Sequence, residues 1–442
     1  MQSKQVGDRW YYTFLPYNVA GGSTSPMIPL FITEGLGGTV AQVGLASAIS
    51  SLASVPANVL WGNLSDTLRK RKVFVLIGFI GMALALLLMG LSMDMGTYYF
   101  GNFLLGAIAA AAAPVSTVII LESFKKEEWA KRIGDFSKVS GIGWVLGLVL
   151  GTVWLQMASD DGAMVSAMRG LFITASALAM ASVFLALKLV PEPQLNVERR
   201  EVAEDLPPPN VIHFERGRYA PTKVLHIMKI SARNLSPINF PHNLKLYYVV
   251  VLLAFTGFLT FYTAFPIFLK REMGLSISEV FIVYLASSIT SALTYSMAGR
   301  WTSRFGGKRV QMLAFTGRIL LFPAVFLVAL VPLDLWALIA ALCAMHALIG
   351  FCWANLSVAG STIVSRISFK EFKTESLGAY NAIQGIGTII GSLIGGFVAV
   401  SMGYEVTFIV ASGFVLAALV MLIALNVDRE PEDSASPHAM EA

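Results

Sequence analysis

A glycine pattern occurs twice in this 442-residue chain. Gly141, Gly143, Gly147 and Gly151 recur 244 residues later as Gly385, Gly387, Gly391 and Gly395. A second motif repeats at an offset of 237 residues, aligning Gly62, Asp66, Arg69, Arg71 and Lys72 with Gly299, Ser303, Gly306, Lys308 and Arg309. The same ungapped alignment places Pro29 on Pro266, Phe31 on Phe268, and Ser50-Ser51 on Ser287-Ser288. A duplicated apolar chain folds as two parallel copies of one helical unit in a membrane.

Apolar residues make up 56% of the chain and charged residues only 13%, against about 25% charged in soluble domains. Runs of about 20 apolar residues are long enough to cross a bilayer. Twelve spans are predicted at 10–33, 40–61, 73–93, 97–121, 134–157, 170–190, 246–269, 276–297, 310–331, 334–364, 378–401 and 404–427. The fold class is therefore an all-α membrane protein with twelve transmembrane helices in two pseudo-symmetric six-helix halves, 1–190 and 246–427. Of 32 Lys and Arg, 23 fall in the even-numbered loops and 3 in the odd-numbered ones. That bias puts the even loops and both termini in the cytoplasm of a multi-pass cell-membrane protein. The net charge of +5 then reflects orientation rather than nucleic-acid binding. The first apolar stretch is broken by Pro16, Pro26 and Pro29 and has no Ala-x-Ala site, so it is not read as a cleavable signal. Cys343 and Cys352 lie nine residues apart on one helix, about 13 Å, too far for a disulfide.

Residues 191–245 form a polar linker, Pro-rich at first and then, from Arg216, basic without acids. There Val224, Leu225, Met228, Ala232 and Leu235 share one helical face. Two readings stand: an amphipathic helix on the anionic leaflet, or a solvated connection. The tail 428–442 reads as disordered.

Two sets of six spans, with the Gly62–Lys72 loop motif duplicated, resemble the major facilitator superfamily of secondary transporters. The resemblance covers about 10–190 and 246–427. It implies that Gly62 permits close helix contact. Asp66 would sit near the positive N-terminus of span 11, which begins near Gly378, and lock the cytoplasmic side shut. Such a placement is worth about 0.3–1 kcal/mol. Arg69 and Arg71, with Gly299, Arg304 and Arg309 in the second copy, complete the gating motif, although these basic groups read equally well as topogenic charge. The resemblance also implies that spans 5 and 11 contact the opposite half, so that Gly143, Gly147, Gly151, Gly387, Gly391 and Gly395 would serve inter-half packing. This chain departs from the family pattern in three places. Thr67 and Arg69 replace a basic residue and a glycine, Asn102 stands where proton-coupled members carry arginine, and Leu148 follows Gly147 where drug antiporters have proline.

By the same resemblance spans 1, 4, 7 and 10 line a central cavity. Span 1 shows Tyr11, Asn18, Gly22 and Ser25 on one face, and span 4 shows Asn102, Gly106 and Ser116. Span 7 offers Phe255 and Tyr262, span 10 offers His346, Trp353 and Ser357, and spans 8 and 11 add Tyr284, Tyr380 and Gln384. The candidate substrate pathway is Asn18, Ser25, Asn102, Tyr262, His346, Trp353, Tyr380 and Gln384, suited to amphiphilic organic solutes. Single hydroxyls read more simply as bonded to their own helix. None of the 27 Asp and Glu lies at the middle of a span, which disfavours cation/proton exchange. Arg318 and His346 are the mid-depth candidates for coupling or anion binding; span 9 being peripheral in the family, Arg318 is expected at a neighbouring helix or the lipid.

The function expected is secondary transport of a small organic solute by alternating access, in efflux or exchange. The alternatives are an organic-anion uptake carrier and a sensor or docking protein working through 216–245. Partners are the solute, the bilayer, and protons or another coupling ion, with the protein a monomer. No nucleotide motif, phosphate loop, nucleophile elbow or metal-binding His pair is present, so neither an enzyme nor any cofactor or metal is expected.

Overall fold

A computed structural model describes residues 8–68, 70–124, 128–157, 161–192, 240–369 and 373–427. Most of the linker, the tail 428–442 and Arg69 lie outside the described residues.

The first apolar segment is a broken helix. A 3-10 turn, Asp8–Thr13, leads into α1 (Phe14–Thr24), then α2 (Met27–Leu30) and a π turn, Phe31–Gly35. Pro26 and Pro29 bring no N–H to the ladder, which accounts for the interruption. Next come α3 (Val40–Leu68), α4 (Arg71–Leu91), α5 (Met95–Ala107), α6 (Ala112–Ser123), α7 (Trp129–Gln156) and α8 (Asp161–Leu189). After the linker come α9 (His242–Arg271), α10 (Ile277–Phe305), α11 (Gly307–Ala329), α12 (Leu335–Ile367) and α13 (Lys373–Ala424).

Polar caps start several of these helices. Asp94 accepts from Thr97 N at 2.9 Å, Asp334 from Ala337 N at 3.0 Å, and Ser276 with Glu279 forms a reciprocal capping box. Among the described residues ten helices are long and apolar enough to cross a membrane. The twelve-span expectation differs at two points. The first segment is broken by its prolines, and 378–401 and 404–427 run together as the 52-residue α13, interrupted only at Gly403 with φ 88° and ψ 173°.

The sequence repeat is also a repeat of contacts. A methyl group at Gly143 would lie 2.8 Å from Leu15 O and from Asn18 Cβ. One at Gly387 would lie 2.9 Å from Leu252 O and 2.8 Å from Phe255 Cβ, the residues 237 positions on. Likewise Gly147 backs onto the Val19 carbonyl and Gly391 onto that of Thr256, while Gly106 backs onto Ser50 and Gly350 onto Ser287. Absent side chains let backbones touch, and both copies use that device at the same places.

These contacts correct the reading of the glycine ladders. Gly143 and Gly147 pack on α1, and Gly387, Gly391 and Gly395 on α9, each within its own copy. Two ladder glycines face the other copy: Gly151 against Phe281 of α10, and Gly385 against Val55 of α3. A glycine stripe covers one face of a helix, and here the first helix of the same copy occupies it. Other faces join the copies: α3 meets α13 where Gly44 abuts Ser392 O and a methyl group at Gly396 would lie 2.8 Å from Val40 O.

The two ends of the molecule differ. At one end Arg271 Nε donates to Glu34 Oε1 at 3.1 Å and Nη2 to Thr33 O at 3.2 Å, tying the copies together. At the other, methyl groups at Gly62, Gly299 or Gly378 would meet no described atom within 4 Å.

Candidate functional site

Four helices of the second copy converge on one cavity of about 230 Å³. Helix α9 supplies Phe255 and Phe258, and α11 supplies Gln311 and Phe315. Helix α12 supplies Trp353, Ser357 and Ser361, and α13 supplies Tyr380, Asn381 and Gln384. Spacings of three and four keep most of each set on one helical face. Tyr247 OH donates to Gln311 Oε1 at 3.0 Å, fixing that amide. Tyr380 fits because Gly360 leaves the space its ring and hydroxyl fill.

Behind the cavity wall lies Arg318, only 1% exposed. Its guanidinium carbon sits 4.0 Å from the Phe258 ring centre, 5.6 Å from that of Trp353 and 5.8 Å from that of Phe322. Nε, Nη1 and Nη2 meet no hydrogen-bond acceptor among the described residues. Nearby, His346 stacks on Phe265 with centroids 4.8 Å apart, and lies 5.1 Å from Tyr284 and 6.0 Å from Tyr262. It too is 1% exposed, and its Nδ1 is unpartnered among the described residues. Of the two expectations for Arg318, a neighbouring helix or the lipid, the structure shows the first, with Phe258 of α9 and Trp353 of α12 beside it. Position 318 shares a helical face with Gln311, and that face points into the second copy.

Of the predicted pathway residues, Trp353, Tyr380 and Gln384 line the cavity, and Tyr262 and His346 form the aromatic cluster beside it. The first-copy positions do not join them. Asn18 Nδ2 donates to Phe14 O at 2.8 Å on a face packed against α7, and buried Asn102 donates to Tyr98 O at 3.1 Å. Ser25 is half-buried at the end of α1. In a tightly packed, glycine-rich copy an amide finds its partner on its own helix. Gln311, Phe315, Ser361 and Asn381 escaped the sequence reading, although a glutamine seven residues before Arg318 in an apolar helix was the available signal.

The loop motifs have separate surroundings. Arg71, 6% exposed, pairs through Nη2 with Glu122 Oε1 at 2.6 Å and donates through Nη1 to Ser65 Oγ at 2.7 Å. Its backbone N–H donates to the Glu192 carboxylate. Thus α3, α4, α6 and the end of α8 are fastened together. In the second copy Gly299, Arg304 and Arg309 instead line a wide groove with Arg366. Lys308 Nζ donates there to Ile423 O at 2.9 Å and Leu425 O at 2.6 Å, capping α13. Asp66 lies in the last turn of α3.

The profile of the Major Facilitator Superfamily matches residues 13–355 and 247–441. The chain belongs to that superfamily. It is therefore a multi-pass membrane transport protein and not an enzyme. Superfamily relatives include Multidrug resistance protein MdtG of Salmonella paratyphi A, 24% identical over 92% of this chain and 91% of its own length. Multidrug resistance protein 2 of Bacillus subtilis is 23% identical over 68% of each chain. Among solved structures, the nucleoside transporter NupG superposes with a TM-score of 0.71 at 14% identity, covering 94% of this chain and 98% of its own. A bacterial homologue of the lysosomal transporter Spinster, in an inward-facing and occupied conformation, gives 0.64 at 15% identity over 94% of each chain. These likenesses are to the fold.

Proposed function

We propose that this superfamily member is a secondary transporter moving a small organic solute by alternating access, as a monomer in the cell membrane, in efflux or exchange. Twelve spans form its two six-helix halves, Gly403 dividing the last two, and both termini are cytoplasmic. One observation carries the reading. Arg271 and Glu34 tie the copies together at one end, while at the end bearing Gly62, Gly299 and Gly378 those glycines meet no described atom within 4 Å; we read these as the closed and the open end, with the aromatic and amide cavity in the second copy. That is one of the two arrangements alternating access requires. The excess of basic residues on the open end supports its assignment to the cytoplasm, and the multidrug-resistance names of the relatives favour outward movement.

In the opposite arrangement Asp66 would reach the N-terminus of α13, and the basic positions Arg69, Arg71, Arg304 and Arg309 would flank the closing seam. Spin labels at Gly62 and Gly378 test this in proteoliposomes. Two distances are expected, with the shorter gaining population on the addition of solute, together with counterflow of that solute. One fixed distance and no counterflow of any amphiphile would defeat the proposal.

A further inference from the structure

We infer that the second copy holds a recognition site for an organic anion, a carboxylate on a flat apolar body, anchored by Arg318. The inference rests on the transporter reading and names the solute class it leaves open. A guanidinium carries five N–H donors in a planar fork. In Arg318 the guanidinium carbon lies over the Phe258 ring at 4.0 Å from its centre, with Trp353 and Phe322 farther off. Aromatic rings bring no carbonyl or carboxylate oxygen, so the donors stay available to a bidentate acceptor.

No protein acceptor meets that edge among the described residues. The chain has none in reserve at this depth, since its 27 Asp and Glu avoid the middles of the apolar runs. Cation–π contact offsets only part of the cost of burying a charge. The missing counter-charge can arrive with the solute.

The path to Arg318 is short. Phe258 and Trp353 both touch the guanidinium and line the cavity. Trp353 is 37% exposed, so its ring forms part of the cavity surface. Tyr262 and His346, on α9 and α12, stand beside Arg318, and His346 Nδ1 is unpartnered among the described residues. An aromatic carboxylate would thus stack among Phe255, Phe258 and Trp353, with its charge on Arg318 and its far edge toward Gln311, Asn381 and Gln384.

The test uses the full chain in nanodiscs with two probes of one shape, naphthoate and its uncharged amide. Binding is read by calorimetry and by the shift of the unfolding midpoint. Naphthoate is expected to bind wild type at least tenfold more tightly than the amide. In R318M that preference should vanish, and R318K, which keeps the charge but loses the fork, should fall between. Without any probe R318M should unfold no earlier than wild type, because an apolar side chain replaces an uncompensated cation. Earlier unfolding or misfolding of R318M would show a structural clamp and overturn the inference. Equal binding of acid and amide, or binding of neither, would overturn it too, while counterflow of other amphiphiles would leave the transporter reading standing. Charge-selective binding without counterflow of any solute would sink the transporter reading alone.

Discussion

At positions related by the internal repeat, the two copies keep the same helix contacts and line them with different chemistry. Where the second copy has Phe258, Arg318 and Phe322, the first, 237 residues earlier, has Gly21, Gly81 and Ala85. Where it has His346 and Trp353, the first, 244 residues earlier, has Asn102 and Ala109. Small residues let Ile108 close onto Gly81 and Trp144 onto Gly21, so the first copy fills itself. Large rings hold helices of the second copy apart around a cavity. Gly106 on Ser50 and Gly350 on Ser287 are unchanged in kind. Duplication preserved what sets helix position and released what lines the second-copy cavity. The loops diverge as well: Glu122, which neutralises Arg71, is replaced 244 residues later by Arg366.

The largest effect tests what the copies share. Gly147→Leu and Gly391→Leu would each drive a side chain into a carbonyl of the facing helix, Val19 or Thr256, costing about 3 kcal/mol or more. Loss of monodisperse protein in size-exclusion chromatography is expected for both. Tolerance of either one alone would break the contact symmetry. Next comes the loop asymmetry. Arg71→Ala strands Glu122 and should lower unfolding stability by about 1–3 kcal/mol. Lys308→Ala, at the matching position, removes only a carbonyl cap and should cost under about 1 kcal/mol; equal midpoint shifts would erase the contrast.

At the site, Trp353→Ala should weaken solute binding by about 1–2 kcal/mol. Asn102→Ala should change it by less than about 0.5 kcal/mol, since its amide is engaged by its own helix. Calorimetry with one solute decides, and a larger effect at Asn102 would return the first copy to the pathway.

The smallest effect concerns helix starts. The Thr97 hydroxyl, with its amide, holds the Asp94 carboxyl below its ordinary value of 3.8. A depressed carboxyl lends stability above that value and loses it as pH falls through it. Thr97→Ala, which makes this cap resemble Asp334 with Ala337, should flatten that acid-side loss in thermal unfolding. An unchanged slope would show that the hydroxyl contributes nothing.

The fold class and the repeat were legible because burial in a bilayer imposes length, apolarity and charge asymmetry on every span. Hydropathy does not register backbone breaks, which is why Pro26, Pro29 and Gly403 altered the helix count. Helical periodicity shows which residues share a face but not what that face meets. The glycine ladders therefore have partners in both copies: Gly143, Gly147, Gly387, Gly391 and Gly395 pack within their own copy, and Gly151 and Gly385 against the other. For Arg318 the depth was readable and the neighbours were not, because family position suggested a peripheral helix while the Gln311 to Arg318 spacing pointed inward.

The closed end is fastened by a weak clasp. Arg271 and Glu34 remain 43% and 25% exposed, and they bridge the two copies. Such a pair is worth about 0–1 kcal/mol and weakens as dissolved salt screens it. On the proposed transporter reading, the ionic strength of the surrounding fluid acts directly on this clasp, easing its release in brine and holding it in dilute water.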